Sequence, residues 1–172
     1  MNTEIIPFLR LTHVFAGTFW VGSNIFMALF VYPTAKISGE SGKKFISNLS
    51  NKNKLPVWMS ISSIITIISG LFLLYFYSSG FSLSFFKTGY GIGLILGALL
   101  AFSAFLHGFI KIRPCGIRLG EIGKELSERK THLSENLMEE IEHLNHVIIK
   151  STTLETLILS SSLSFMIIAK YI

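Results

Sequence analysis

The chain has 172 residues, half of them hydrophobic, with a mean hydropathy of +0.57 and only 15% charged residues. Such a composition excludes a water-soluble domain, and the net charge of +5 is spread over loops between apolar stretches rather than gathered into a nucleic-acid-binding face. One cysteine, Cys115, excludes an internal disulfide, a C-x-x-C redox pair and covalent haem attachment through C-x-x-C-H.

The first apolar stretch runs from Ile6 to Val31, longer than the roughly 20 residues that a helix needs to cross hydrocarbon. It is too long for a signal peptide, shows no small-x-small cleavage site and carries a histidine and an asparagine, so it is expected to be a retained helix. His13, Gly17, Trp20 and Asn24 fall at i, i+4, i+7 and i+11, one stripe of that helix. The loop from Pro33 to Leu55 reads as a connector with at most one helical turn around Lys44 to Leu49. The second stretch, Pro56 to Tyr77, has a small polar face of Ser62, Thr66, Ser69 and Gly70. A tight turn from Ser78 to Ser84 is expected to make the second and third helices antiparallel neighbours. The third stretch, Phe85 to Ile110, carries a ridge of Gly89, Gly93 and Gly97. Beyond it, Ser134 to Lys150 places Leu137, Met138, Ile141, Leu144 and Ile148 at helical spacing, an amphipathic helix leading into the fourth stretch, Ile148 to Ala169. The expected fold is an all-α integral membrane four-helix bundle, a single domain over residues 1–172.

Positive charge sets the expected orientation. Lys36, Lys43, Lys44, Lys52 and Lys54 lie in the first loop, and Lys111, Arg113, Arg118, Lys124, Arg129 and Lys130 in the third. Only Arg10, Lys87 and Lys170 lie on the opposite side. The positive-inside rule therefore predicts a multi-pass protein of the cell (inner) membrane with both termini outside and both longer loops cytoplasmic.

Ionisable groups inside a bilayer are costly and mark candidate sites. His13 lies about 10 Å below the start of its span. Equal depths in the other spans reach Gly70, Gly93 and Ser162, so one imidazole and three small residues are expected at one level. That arrangement suits a flat iron-bearing macrocycle, haem b, with His13 as an axial ligand and Gly17, Trp20, Gly70 and Gly93 around it; a packing role for His13 is the alternative. His107 lies about 20 Å deeper by the helical rise, near Met59 and His146, which makes a second haem or metal site there conceivable. Glu140 and His143 form a single Glu-x-x-His pair, better read as a solvated polar face. Glu155 is the one carboxylate well inside a span, either a proton carrier or cation partner or a shallow hydrated group. Arg10 and Lys87 lie near the His13 level, placed to meet haem propionates or to snorkel to headgroups.

The stretch His13-Val14-Phe15-Ala16-Gly17-Thr18-Phe19-Trp20-Val21-Gly22, with Leu29-Phe30-Val31-Tyr32 after it, resembles the first helix of small four-helix membrane proteins of the copper-resistance D and HemJ type. Lys87 and His107, bracketing the third helix, are similar to the HemJ pattern. The resemblance implies a haem-binding membrane protoporphyrinogen oxidase in which His13 is an axial ligand and Lys87 serves the haem or substrate site. The leading expectation is thus a haem b protein that transfers electrons with a quinone, a porphyrin or a redox protein, as carrier or as oxidoreductase with Lys87 and Glu155 in its chemistry. Two alternatives are a copper or small-solute transporter using His13, Met59, His107 and Met166, and a structural subunit of a homo-oligomer or larger membrane complex.

Overall fold

The computed structural model describes residues 4–129 and 134–171, and no strand occurs among them. Lys130, counted above in the third loop, lies outside the described residues. The elements are α1 (Ile5–Phe26), α2 (Tyr32–Ile37), α3 (Gly39–Asn51), α4 (Leu55–Tyr77), α5 (Gly89–His107), α6 (Arg113–Arg129) and α7 (Glu135–Ile168). One π-helical turn, Met27–Val31, joins α1 to α2, and a second, Gly108–Ile112, joins α5 to α6. Four helices, Ile5–Ile37, Leu55–Tyr77, Gly89–Glu125 and Glu135–Tyr171, are long and apolar enough to cross a membrane.

The distribution of residue types fits that reading. Phe8, Phe15, Leu29, Phe30, Leu157 and Ile167 all face outward, whereas Ser62, Ser63, Thr66, Ser69, Thr152 and Ser162 are buried. In lipid, apolar side chains gain nothing by leaving the surroundings for the interior, so helices associate where small residues let backbones approach.

Two helix pairs are built this way: α1 packs on α4, and α5 packs on α7. In the first pair Gly17 faces Thr66 and Gly70 faces His13; in the second Gly93 meets Ala169 and Gly97 meets Met166 and the carbonyl of Ser162. The Ser162 hydroxyl donates to the Gly97 carbonyl at 2.6 Å. Contacts of α1 with α7 join the pairs around Trp20, Ala104 and Leu159.

Several expectations are revised. The second and third spans are joined by the turn but pack little, because the small faces of α4 and α5 are turned toward α1 and α7 instead. The third span starts at Gly89, since Phe85–Lys87 is a 3₁₀ turn and the Thr88 hydroxyl caps the helix by accepting from the Gly91 N–H at 3.0 Å. The first loop is mostly helical. The first helix runs on to Ile37, the chain breaks at Gly39 with φ +55°, and α3 folds back so closely that Gly42 abuts the Ala35 carbonyl. As expected, by contrast, the amphipathic segment before the fourth span is a helix continuous with it.

The π turns have a shared cause in the sequence. Pro33 and Pro114 each stand two residues after one of them. Proline offers no N–H and its ring crowds the carbonyl four residues back, so widening the preceding turn by one residue lets the helix continue.

On the polar extensions outside the apolar stretches, Arg118 of α6 forms a two-point pair with Glu140 of α7, at 2.7 and 3.2 Å. Hydrogen bonding to the guanidinium holds the Glu140 carboxyl below the usual carboxylate range. A depressed carboxyl adds its link while ionised, so the link is complete above that range and is lost as pH falls below it. Acidification should loosen α6 in the native chain, and Glu140→Gln should loosen it at neutral pH as well, read as faster amide exchange over residues 113–125. A Cβ at residue 93 would lie 2.7 Å from that of Ala169 and 3.0 Å from its Cα, whereas one at Gly22 meets nothing within 4 Å. Gly93→Val should therefore lower stability by about 1–3 kcal/mol, the usual range for overpacking, in reversible unfolding in mixed detergent micelles. Gly22→Ala should leave it unchanged.

Candidate functional site

Two polar centres lie inside the apolar region, one at His13 and one at Glu155.

His13 reaches across to α4, where its Nδ1 lies 2.9 Å from the backbone carbonyl of Thr66 and 3.3 Å from the Ser69 hydroxyl. The carbonyl accepts, so Nδ1 carries the hydrogen and the neutral ring keeps its lone pair on Nε2. Gly70 makes this possible. A Cβ there would lie 2.8 Å from His13 Cε1, so only the absent side chain lets the ring lie against α4 and reach the carbonyl. One turn toward the N-terminus, the Arg10 guanidinium hydrogen-bonds the Tyr77 hydroxyl and lies over its ring.

The small residues expected to share the His13 level do not gather around one ring. Gly70 receives His13 itself, Gly93 is closed by Ala169, and Ser162 is spent on the Gly97 carbonyl. They belong to different pairs: the first places an imidazole against glycine and the second places glycine against alanine. Lys87 is exposed on the 3₁₀ turn, His146 is exposed on α7 and Met59 is half-buried on α4. Met166 fills the groove at Gly97. Among the described residues no group of three or more His, Cys, Asp or Glu side chains converges as a metal site. The Glu140–His143 run is held by its pairing with Arg118.

Glu155 is buried among the helices. It is 4% exposed, on α7 between the two π-broken helices. Its carboxyl lies against Gly108, where a Cβ would come within 3.2 Å of Oε2 and 3.3 Å of Oε1. Trp20, from the His13 stripe, is its side-chain hydrogen-bond partner. Tyr32, just past the first π turn, hydrogen-bonds Thr152 one turn below Glu155 and interacts electrostatically with the carboxylate. Asn24, 1% exposed, donates to the Trp20 carbonyl at 3.1 Å and leaves its Oδ1 without a partner. His107, the residue before Gly108, likewise has a buried Nδ1 without a partner. Buried polar atoms are nearly always paired, so two orphans on the elements around a buried carboxyl are unusual.

Sequence reasoning singled out Glu155, Trp20 and His107 separately, and Thr152 only as a neighbour of Glu155, but not their association, and it missed Tyr32 and Gly108 as members. The usable signal was the pair of prolines: Pro33 and Pro114 announce breaks in two helices, and π turns are frequent at functional sites.

Because Gly70 gives His13 its room, Gly70→Ala should push the ring off the Thr66 carbonyl. In ¹⁵N NMR of selectively labelled histidine, the native chain should show His13 as the Nδ1–H tautomer and the variant should lose that preference. An Nε2–H tautomer in the native chain would overturn the assignment.

Against known proteins, the chain matches no family model, and neither a curated protein nor a solved structure matches it.

Proposed function

We propose that the chain is a membrane redox protein that binds haem b through His13. The observation that carries the reading is the hydrogen bond from His13 Nδ1 to the Thr66 carbonyl. Metal-ligating histidines commonly donate their second ring nitrogen to a carbonyl or carboxylate, which fixes the tautomer and makes the ligating nitrogen more basic. The donor set therefore fits an axial ligand, with Nε2 as the coordinating atom. The haem, when bound, supplies one-electron chemistry at a potential tuned by its axial ligation.

The remaining residues have definable parts. Gly70 and Thr66 orient the imidazole, and Gly17 keeps α1 close enough to α4 for the bond to form. Arg10, one turn toward the end of the bundle that the charge pattern assigns to the outside, lies within a side chain's length of the same level and suits an acidic substituent on the ring edge. Lys87 is exposed at that end and is available to an anionic substrate or partner. The similarity to HemJ-type proteins makes a porphyrin the first substrate to test, with a quinone or a redox protein as the exchange partner. The inner membrane, with both termini outside, is the placement that the loop charges favour. A copper pathway is less well supported, since Met59, His107 and Met166 are dispersed and no ligand group converges among the described residues.

Protein expressed with ample haem supply and purified in detergent should give a b-type reduced-minus-oxidised spectrum, with one haem per chain by pyridine haemochrome. His13→Ala should abolish that spectrum while leaving the chain folded by circular dichroism. A colourless native protein, or a spectrum indifferent to the substitution, would remove the proposal and leave His13 as a packing residue.

A further inference from the structure

We infer that Glu155 is a proton-exchanging group, served from the α3 end of the bundle by way of Tyr32 and Thr152. The site is separate from His13 and needs no haem there. The inference starts from the cost of the carboxyl's position. An ionised carboxylate taken out of water loses several kcal/mol of solvation even after relaxation, and recovers it only with a full set of donors or a cation. Among the described residues Glu155 has one side-chain donor, the Trp20 indole, and its surroundings include no lysine or arginine partner. A protonated acid needs far fewer partners, so the surroundings favour a carboxyl that holds a proton and gives it up only when charge or water arrives.

The groups around it suit that exchange better than they suit fixed packing. From the helix spanning Ile5–Ile37 the site receives Trp20 and Tyr32; from the second π turn it receives the backbone at Gly108, with His107 just before it. Lys111 and Arg113 on and after that turn are exposed, and Arg113 stacks over Phe109 instead. Tyr32 is thus the one titratable side chain with an interaction to Glu155 among the described residues. It lies toward the end of the bundle where α3 folds back, and its bond to Thr152 puts a second hydroxyl on α7 one turn from Glu155. The orphaned Asn24 Oδ1 and His107 Nδ1 are the kind of atoms that an internal water satisfies, and such a water makes about three hydrogen bonds. In the transfer itself only O–H bonds change: one proton passes from water through hydroxyls to the carboxylate, and an equal proton returns by the same path.

The test is infrared difference spectroscopy on the full chain in lipid nanodiscs, following the carbonyl stretch of a protonated carboxylic acid. The chain has ten acidic residues, all of them glutamate, and Glu155 is the one within an apolar stretch. The native protein should show a protonated-acid band that shifts in D₂O and disappears as pH is raised; Glu155→Gln should lack it. Tyr32→Phe should keep the band and slow its exchange with deuterium by about tenfold, which corresponds to about 1.4 kcal/mol of barrier. A native protein without such a band at any pH, or with one that neither titrates nor exchanges, would overturn the inference, as would unchanged exchange in Tyr32→Phe. If Glu155→Gln fails to fold, Glu155→Asp takes its place, with a displaced band expected and an undisplaced one counting against the assignment. The haem spectrum of each variant, read in parallel, should match the native one, so failure here leaves the His13 proposal standing and failure there leaves this one.

Discussion

Close approach of backbones at a few small residues is the constraint on which this bundle depends. Water drives the packing of a soluble core, but lipid provides no such force between apolar helices, and what remains is surface fit and interhelical hydrogen bonding. Gly17 against Thr66 and Gly70 against His13 bring α1 to α4; Gly93 against Ala169 and Gly97 against Ser162 bring α5 to α7. The large side chains left outside, among them Phe8, Phe15 and Leu157, are those that would have formed the core of a soluble protein. A glycine here is a contact surface, and its replacement changes a distance between helices rather than local flexibility.

That inversion explains why the interior is polar. Serine and threonine in α4 and α7 return their hydroxyls to carbonyls of their own helix, Thr66 to Ser62 and Thr156 to Thr152 among them, so they are buried without demanding partners across the interface. Their small size then permits the approach, and a few side chains are free to bond across it. His13 to the Thr66 carbonyl and Ser162 to the Gly97 carbonyl are two such bonds, one in each pair. The pairs are thus alike in construction and different in chemistry, because only the first places an ionisable ring at the crossing.

The prolines supply the other organising element. Each forces a wide turn late in its helix, and both turns pack on α7. A widened turn rotates the following residues and opens space beside the backbone, which is where the Glu155 carboxyl lies, against Gly108. Two centres result, one near the terminal end of the bundle with an oriented imidazole and one toward the π turns with a buried acid, and Trp20 of α1 lies at the second.

The sequence by itself determined the number of long apolar helices, the amphipathic lead into the fourth, and the His13, Gly17, Trp20, Asn24 stripe, because hydropathy and a 3.6-residue period are local properties of the chain. It located Glu155 but not its burial, since burial depends on what the neighbouring helices place over a residue. Which helices pair was decided only in three dimensions: the short turn at Ser78–Ser84 suggested that the second and third helices are partners, yet the direction in which each small face points overrode chain proximity. The early start assigned to the third span failed for a related reason, because the apolar residues Phe85 and Phe86 belong to a turn that Thr88 ends by capping. Tyr32, Gly108 and the Thr152–Glu155 turn of α7 are separated by long stretches of chain, and no spacing rule links the three. Tertiary structure joins them because two proline-widened helices close on a third, a relation that depends on helix rotation and not on sequence distance.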